Sequence, residues 1–152
     1  MSTVTTSRTR SIPLYQQALV AVFRTADALR RALTQVLEPH GLTMQQYNVL
    51  RILRGARPDP LPTMDIAERM MDRTPGITRL LDRLEAKGLV RRERCQDDRR
   101  QVLCTITPVG LELLAGLDEA VDRADEALLA PLDEREMREL IGYLERIQAQ
   151  AA

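Results

Sequence analysis

Two arginines, Arg79 and Arg83, stand one helical turn apart in a segment whose apolar residues recur every three or four positions. With that apolar face turned inward, both guanidinium groups point away from the core. A guanidinium can donate two parallel hydrogen bonds to guanine O6 and N7 or to a phosphate. Asp82 and Glu85 share the helix, so the segment taken alone favours an ordinary solvated face.

A charged hairpin shifts this balance toward nucleic acid. Residues 102–106 alternate as a strand does, and a mirror-image run begins at Leu89. The two runs are expected to pair around a polar tip that contains Asp98, Arg99 and Arg100. A ribbon that rises about 3.3 Å per residue can carry the arginines into a narrow minor groove, where negative potential is concentrated. Asp98 could hold one of them in position through a charge-assisted bond.

The elements that must position these residues are predicted from caps and apolar stripes. A first helix is expected over about 11–38, and Gly88 is typical of a helix end. Further helix starts are expected at Thr43, Thr63, Thr74-Pro75, Thr107-Pro108 and Asp133. The resulting order is helix, helix, helix-turn-helix, hairpin, long helix, helix. This order predicts a mainly α fold with a small β-hairpin wing (α+β), the winged helix-turn-helix arrangement.

Composition and charge are consistent with that reading. The chain has 152 residues, 44% of them hydrophobic, which predicts one globular domain over 1–152. The net charge of zero hides an asymmetry of +5 over 1–62, +2 over 63–107 and −7 over 108–152. The sequence shows no signal-peptide core and no run of apolar residues long enough to span a bilayer. We therefore expect a soluble cytoplasmic protein with no membrane partner.

These features resemble the MarR family of bacterial winged helix-turn-helix transcriptional regulators. The resemblance extends over roughly residues 14–148, nearly the whole chain. The segments that carry it are 41–50, 66–69, 72–92, 98–100 and 103–110. The combination of Thr78-Arg-Leu-Leu-Asp-Arg-Leu-Glu85 with the wing motif Asp98-Arg-Arg100 is specific.

The resemblance implies a homodimer that reads a pseudo-palindromic operator in double-stranded DNA. Helices within 11–38 and 109–150 would form the dimerisation region, and 43–107 the DNA-binding lobe. By the same resemblance Thr78 and Arg79 look like base readers, Arg83 a phosphate contact, Arg100 the minor-groove arginine and Asp98 its partner. The remaining expected DNA contacts are Arg73, Thr74, Pro75, Gly76 and Arg99. Family members often carry a polar residue where this chain has Gly76. This difference implies fewer side-chain contacts with bases in the major groove.

Physical reasoning also points to a dimer. The apolar stripes within 19–37 and 137–147 are expected to lie outside the compact winged core. Uncovered stripes of that size would promote aggregation of a monomer, and packing against an identical partner removes the hazard.

A ligand site is a weaker expectation. Tyr15, Phe23, Met44 and Tyr47 would meet where the dimer helices join the DNA lobes. The family often binds small aromatic or phenolic compounds there, and Arg51 could neutralise a carboxylate. The alternative, a patch of methionine and aromatic core residues, ranks ahead.

Other candidate residues favour structural roles. His40 is the only histidine and lies in a predicted turn. The acidic ladder of Asp118, Asp122 and Glu126 is interleaved with a Glu119–Arg123 pair, as on a solvated face. No catalytic centre, metal site or cofactor is expected.

The two cysteines, Cys95 and Cys104, flank the wing. A turn near 98–99 places Cys104 opposite Glu93 and Cys95 opposite Val102. The thiols would then be diagonal neighbours, about 7–8 Å apart and beyond easy bridging. We expect small apolar filler rather than a redox switch.

The expected function is therefore that of a dimeric, sequence-specific regulator, a repressor released by a small amphipathic or aromatic ligand. The alternative is a winged-helix adaptor that binds protein and not DNA. Steep salt dependence of binding to duplex DNA distinguishes the two.

Overall fold

The computed structural model describes residues 11–73 and 75–152. The described part contains six α-helices, one 3-10 turn and a three-stranded sheet. The elements are α1 (Leu14–Leu37), the 3-10 turn (Glu38–His40), α2 (Met44–Ala56), β1 (Leu61–Pro62), α3 (Thr63–Arg69), α4 (Ile77–Ala86), β2 (Val90–Arg94), β3 (Val102–Ile106), α5 (Pro108–Leu129) and α6 (Glu134–Ala151). This order confirms the predicted mainly α winged helix-turn-helix fold.

The sheet has the strand order β1-β3-β2, with both pairings antiparallel. β1 was not predicted, because a two-residue strand that includes Pro62 is too short to show alternation. The predicted hairpin register is wrong by one residue. Cys104 pairs with Arg92 and not with Glu93, since the turn is centred on Asp98. Cys95 instead donates its backbone N–H to Gln101, and both thiols are free.

The predicted caps of three helices are present. Thr43 and Asp133 each form a capping box, and the Thr107 hydroxyl accepts a hydrogen bond from the Gly110 N–H. The predicted cap of α3 is wrong. Thr63 is the first helical residue, and its hydroxyl donates across the sheet to the Val102 carbonyl at 3.3 Å.

The predicted start of α4 at Thr74-Pro75 is also wrong for the described Pro75, which lies in the preceding turn; Thr74 lies outside the described residues. The helix begins at Ile77, and Gly76 before it has a φ of 90°. Residues with a Cβ rarely adopt this left-handed backbone conformation, which gives a physical reason for glycine at this position.

The core lies where α2, α4, α5 and the sheet meet. Its fully buried side chains include Leu37, Leu50, Leu53, Ile66, Leu81, Leu84, Leu114 and Leu117. Gly110 lets α5 approach the base of the wing, because a Cβ there would lie 2.5 Å from the Leu89 carbonyl oxygen. The end of α1, with Leu33, Val36 and Leu37, packs into this core. The expectation that the whole 19–37 stripe lies outside the core is therefore wrong for its C-terminal part.

Two apolar surfaces remain uncovered on the chain. No residue of α6 is buried, and the first half of α1 is exposed throughout. We call these together the terminal-helix surface; its exposed apolar residues are Leu14, Tyr15, Leu19, Val20, Val22, Phe23, Leu140, Ile141, Tyr143 and Ile147. Among the described residues, no helix has the length and hydropathy needed to cross a bilayer.

Candidate nucleic-acid interface

Helix α4 presents the two faces that its sequence predicts. Leu81 and Leu84 are fully buried, whereas Thr78, Arg79 and Arg83 are exposed. Within residues 11–73 and 75–152, neither guanidinium of this pair takes part in an ion pair. Both are thus available to an external anion or to a base edge.

The other side of the α4 solvent face is acidic, and a residue of the wing neutralises it. Arg92 on β2 donates from Nε to Glu85 Oε2 at 2.9 Å and from Nη2 to Asp82 Oδ1 at 2.6 Å. The hydrogen bond with Glu85, together with that to Asp82, raises the pKa of Arg92. Sequence reasoning missed this contact, because it treated Asp82 and Glu85 as solvated. The sequence did contain a signal for this contact: Arg92 lies in the strand that follows α4, and Asp82 and Glu85 lie about one turn apart on that helix.

At the wing tip, Asp98 positions Arg100. Asp98 Oδ1 accepts hydrogen bonds from the Arg100 backbone N–H at 3.1 Å and from its Nε at 3.2 Å. The expected bond between Asp98 and an arginine is therefore present. The Arg100 side chain is 93% exposed, so the bond directs the guanidinium without burying it. Arg99 beside it is also exposed.

The helix and the wing meet along one groove. Thr78 of α4 and Arg100 of the wing both line it, together with the start of α3. Arg73, Pro75 and Gly76 are exposed in the turn that leads into α4. The structure thus brings the described members of the predicted DNA-contacting set to α4, its leading turn and the adjacent wing.

The segment before α4 is tied to the helices behind it. The Asn48 side chain of α2 is mostly buried and accepts a hydrogen bond from the Met71 N–H at 2.8 Å. Arg30 of α1 forms an ion pair with Asp72 at 3.8 Å. α1 and α2 thus both contact the segment that leads into α4.

The residues expected to bind a ligand are not all brought together in the single chain. Met44 lines an apolar groove between α1 and α2, with Leu29, Leu33, Met70 and Met71. Tyr47 is buried elsewhere on α2, and the Arg51 guanidinium carbon lies 5.8 Å from its ring centroid. Burial raises the pKa of Tyr47, which keeps the phenol neutral. Tyr15 and Phe23 are 68% and 73% exposed on α1 and do not line the groove.

The remaining candidates have structural contacts. Arg54 of α2 binds both carboxylate oxygens of Asp118 on α5 at 2.8–3.0 Å, and Glu119 pairs with Arg123 at 3.3 Å. His40 is exposed at the end of the 3-10 turn. Burial raises the pKa of the Cys104 thiol, which disfavours the reactive thiolate. In the part of the chain that the structure describes, no cluster of His, Cys, Asp and Glu is arranged to hold a metal ion.

Comparison with known proteins shows the family to which this chain belongs. A sequence model of the MarR family matches residues 40–101. A putative transcriptional regulatory protein for the hcr operon of Thauera aromatica is 31% identical over 123 residues, which cover 81% of this chain and 73% of the relative. The chain belongs to the MarR family. It is accordingly a DNA-binding transcriptional regulator of the winged-helix type.

Solved MarR structures agree with this assignment. The MarR transcription factor from Planctomyces limnophilus is 39% identical, with a TM-score of 0.70 over 90% of this chain and 98% of that one. The MepR–DNA complex from S. aureus is 26% identical, with a TM-score of 0.78 over 86% of this chain and 96% of that one. The MarR fold thus extends beyond the segment that the family model matches.

The Asp98–Arg100 bond makes a prediction for this MarR protein. Removing a carboxylate near DNA raises affinity if net charge alone governs the wing. Because Asp98 holds Arg100, we expect Asp98→Ala to weaken operator binding about tenfold or more, the effect of one charge-assisted hydrogen bond. Asp97→Ala removes the same charge one residue away and should leave affinity unchanged or slightly raised. Fluorescence-anisotropy titrations measure both, and an equal rise in the two variants would contradict the positioning role.

Proposed function

We propose that the protein is a homodimeric, sequence-specific repressor that places α4 in the major groove and the wing in the adjacent minor groove of its operator. One observation carries the proposal: Arg79 and Arg83 of α4 and Arg100 of the wing are all exposed on one lobe, where Thr78 of α4 and Arg100 line a common groove. Arginine suits both tasks, since it reads guanine in the major groove and the potential of a narrow minor groove.

The terminal-helix surface supports the dimer. Ile141 and Ile147 on α6 are 55% and 54% exposed, and α6 contributes no buried residue to the chain's own core. Exposed apolar helix faces of this extent favour a cover in a soluble protein. A second copy is the simplest occupant, because a two-fold axis pairs α1 and α6 of one protomer with those of the other. The two DNA-binding lobes then face one side of the duplex.

Repression follows from the dimer's footprint. Two lobes on successive half-sites cover about two turns of duplex, since half-site centres lie about 10–10.5 base pairs apart. A protein bound over that length excludes other proteins from the same DNA. We therefore propose that binding over a promoter lowers transcription.

We further propose that a small aromatic or phenolic acid releases the repressor. The groove that Met44 lines is apolar and reaches Arg30 and Asp72, the ion pair that ties α1 to the turn before α4. A ligand bound in this groove would change the position of α1 relative to the DNA-binding lobe. Tyr15, Phe23, Tyr47 and Arg51 stay predictions for this site, to which the two exposed rings would contribute through the dimer.

A substitution in the groove tests this regulation. We expect a saturating aromatic acid such as salicylate to weaken operator binding about five- to a hundredfold, the usual range of allosteric coupling. Met44→Gln keeps the side-chain length but places a polar amide in the apolar groove, so it should reduce that ratio toward one. Val109→Gln changes an exposed apolar residue of α5 that lines neither this groove nor the groove between α4 and the wing, and it should keep the wild-type ratio. The readout is the ratio of operator affinities without and with the acid. If both variants reduce this ratio equally, the groove is not the binding site of the acid.

The experiment that tests DNA reading is selection of bound duplexes from a random pool. The proposal predicts an enriched pseudo-palindrome with half-sites about one helical turn apart or a multiple of it. It also predicts that log affinity falls steeply with log salt. Selection without enrichment, with weak salt-insensitive binding, would favour the protein-binding adaptor instead.

A further inference from the structure

Helix α4 carries as many acidic as basic side chains between Ile77 and Ala86. Arg79 and Arg83 lie on one flank of its solvent face, and Asp82 and Glu85 lie on the other. A helix that inserts into the major groove lies between two phosphate backbones, so unpaired carboxylates on it would oppose binding. A cation bound to these carboxylates would remove that repulsion.

We propose that Arg92 of the wing is that cation, and that it permits DNA binding by neutralising the acidic flank of α4. The inference rests on the proposed function, because it needs α4 to enter the groove. Arg92 acts through Asp82 and Glu85 and is therefore a positioning residue rather than a DNA contact.

The register of the sheet places Arg92 for this task. Its direct partner on β3 is Cys104, which is fully buried. Residues opposite each other in an antiparallel pair project from the same face of the sheet, so Arg92 also leaves from the inner face. Its side chain is only 20% exposed, whereas Arg91 and Arg94 on the same strand are exposed. The strand thus turns one arginine toward α4.

The contact uses the shape of a guanidinium. Nε and Nη2 both reach Glu85 Oε2, at 2.9 and 2.6 Å, and Nη2 also reaches Asp82 Oδ1 at 2.6 Å. Asp82 and Glu85 are three residues apart, so they are neighbours on one helix face. One planar cation therefore spans both carboxylates. With Arg92 included, the α4 surface has one more positive than negative charge.

The test compares Arg92→Met, which removes the cation, with the triple variant Arg92→Met/Asp82→Asn/Glu85→Gln, which removes the carboxylates as well. Both are titrated as full-length protein against the selected operator at two salt concentrations, with thermal melts as a check of folding. We expect Arg92→Met to lose at least about tenfold in affinity, since it leaves two uncompensated carboxylates beside phosphates in each lobe. We expect the triple variant to return to within about threefold of wild type, because the repulsion is gone.

Each alternative gives a different result. Wild-type affinity for Arg92→Met would overturn the proposal. A triple variant as weak as Arg92→Met would also overturn it, since Arg92 would then act by bracing the wing against α4. If Arg92 instead touched a phosphate, the salt slope of the triple variant would fall by about one for each lobe.

A parallel Arg79→Ala titration separates this inference from the proposed function. If Arg79→Ala weakens binding and Arg92→Met does not, only the role of Arg92 fails. If Arg79→Ala binds as the wild type does, the placement of α4 in the groove fails.

Discussion

Arg79→Ala should lower affinity for the operator about a hundredfold or more. A bidentate contact between arginine and guanine contributes about 1–3 kcal/mol, and a dimer makes the contact twice. The loss should be smaller on scrambled duplex, because base reading is lost there already. Discrimination between the four base pairs should weaken at one position of each half-site. Titration against operator, scrambled duplex and single-base variants of the half-site measures these effects.

Two other arginines serve as comparisons. Arg100→Ala should weaken operator and scrambled duplex more evenly and flatten the salt slope, because the minor groove offers charge and shape but little base identity. Arg123→Ala removes an exposed arginine of α5 that pairs with Glu119. This residue lies outside the predicted DNA-binding lobe, 43–107, so operator affinity should stay unchanged. Unchanged binding in both Arg79→Ala and Arg100→Ala would show that the winged-helix reading of DNA is wrong.

The double substitution Ile141→Glu/Ile147→Glu should convert the dimer into a monomer. Both side chains are more than half exposed on the chain, so the carboxylates cost little in an isolated protomer. In a dimer interface each would be desolvated without a partner, at a cost of several kcal/mol. Analytical ultracentrifugation should show a folded monomer, and operator affinity should fall by orders of magnitude because one lobe binds only one half-site.

The control for that experiment lies on the same helix. Arg135→Glu places a carboxylate at an exposed position on the opposite side of α6 by helical periodicity and should leave the dimer intact. Circular dichroism should show the same helicity in both proteins, since α6 supplies no buried residue to the core. Deletion of 133–152 should likewise abolish dimerisation or solubility. A DNA-competent monomer from either change would contradict the proposed assembly.

The fold could be predicted from the sequence where chemistry is local. The capping boxes at Thr43 and Asp133 satisfy backbone N–H groups within one helical turn, so spacing alone reveals them. The apolar stripe of α4 also follows from helical period. The start of α4 could not be placed, because the Thr-Pro signal resembles a cap while Gly76 adopts a left-handed backbone that the sequence does not specify.

Contacts between distant segments were harder to predict. The one-residue error in the wing register arose because a polar tip does not indicate where its turn is centred. The Arg92 contact joins β2 to Asp82 and Glu85 of α4, which the sequence treats as solvated, and spacing within one helix does not indicate a partner on a strand. By contrast, the Asp98–Arg100 bond spans two residues and was expected from the sequence.

In the proposed mode of binding, a two-fold dimer reads two half-sites on one face of the duplex. The most direct measurement compares wild-type affinity for the selected operator with affinity for the same operator carrying five extra base pairs between the half-sites. Five base pairs are about half a helical turn and move one half-site to the far side of the DNA. This mode of binding predicts that affinity falls about a thousandfold, to the level of non-specific duplex. Equal affinity for the two duplexes would contradict it.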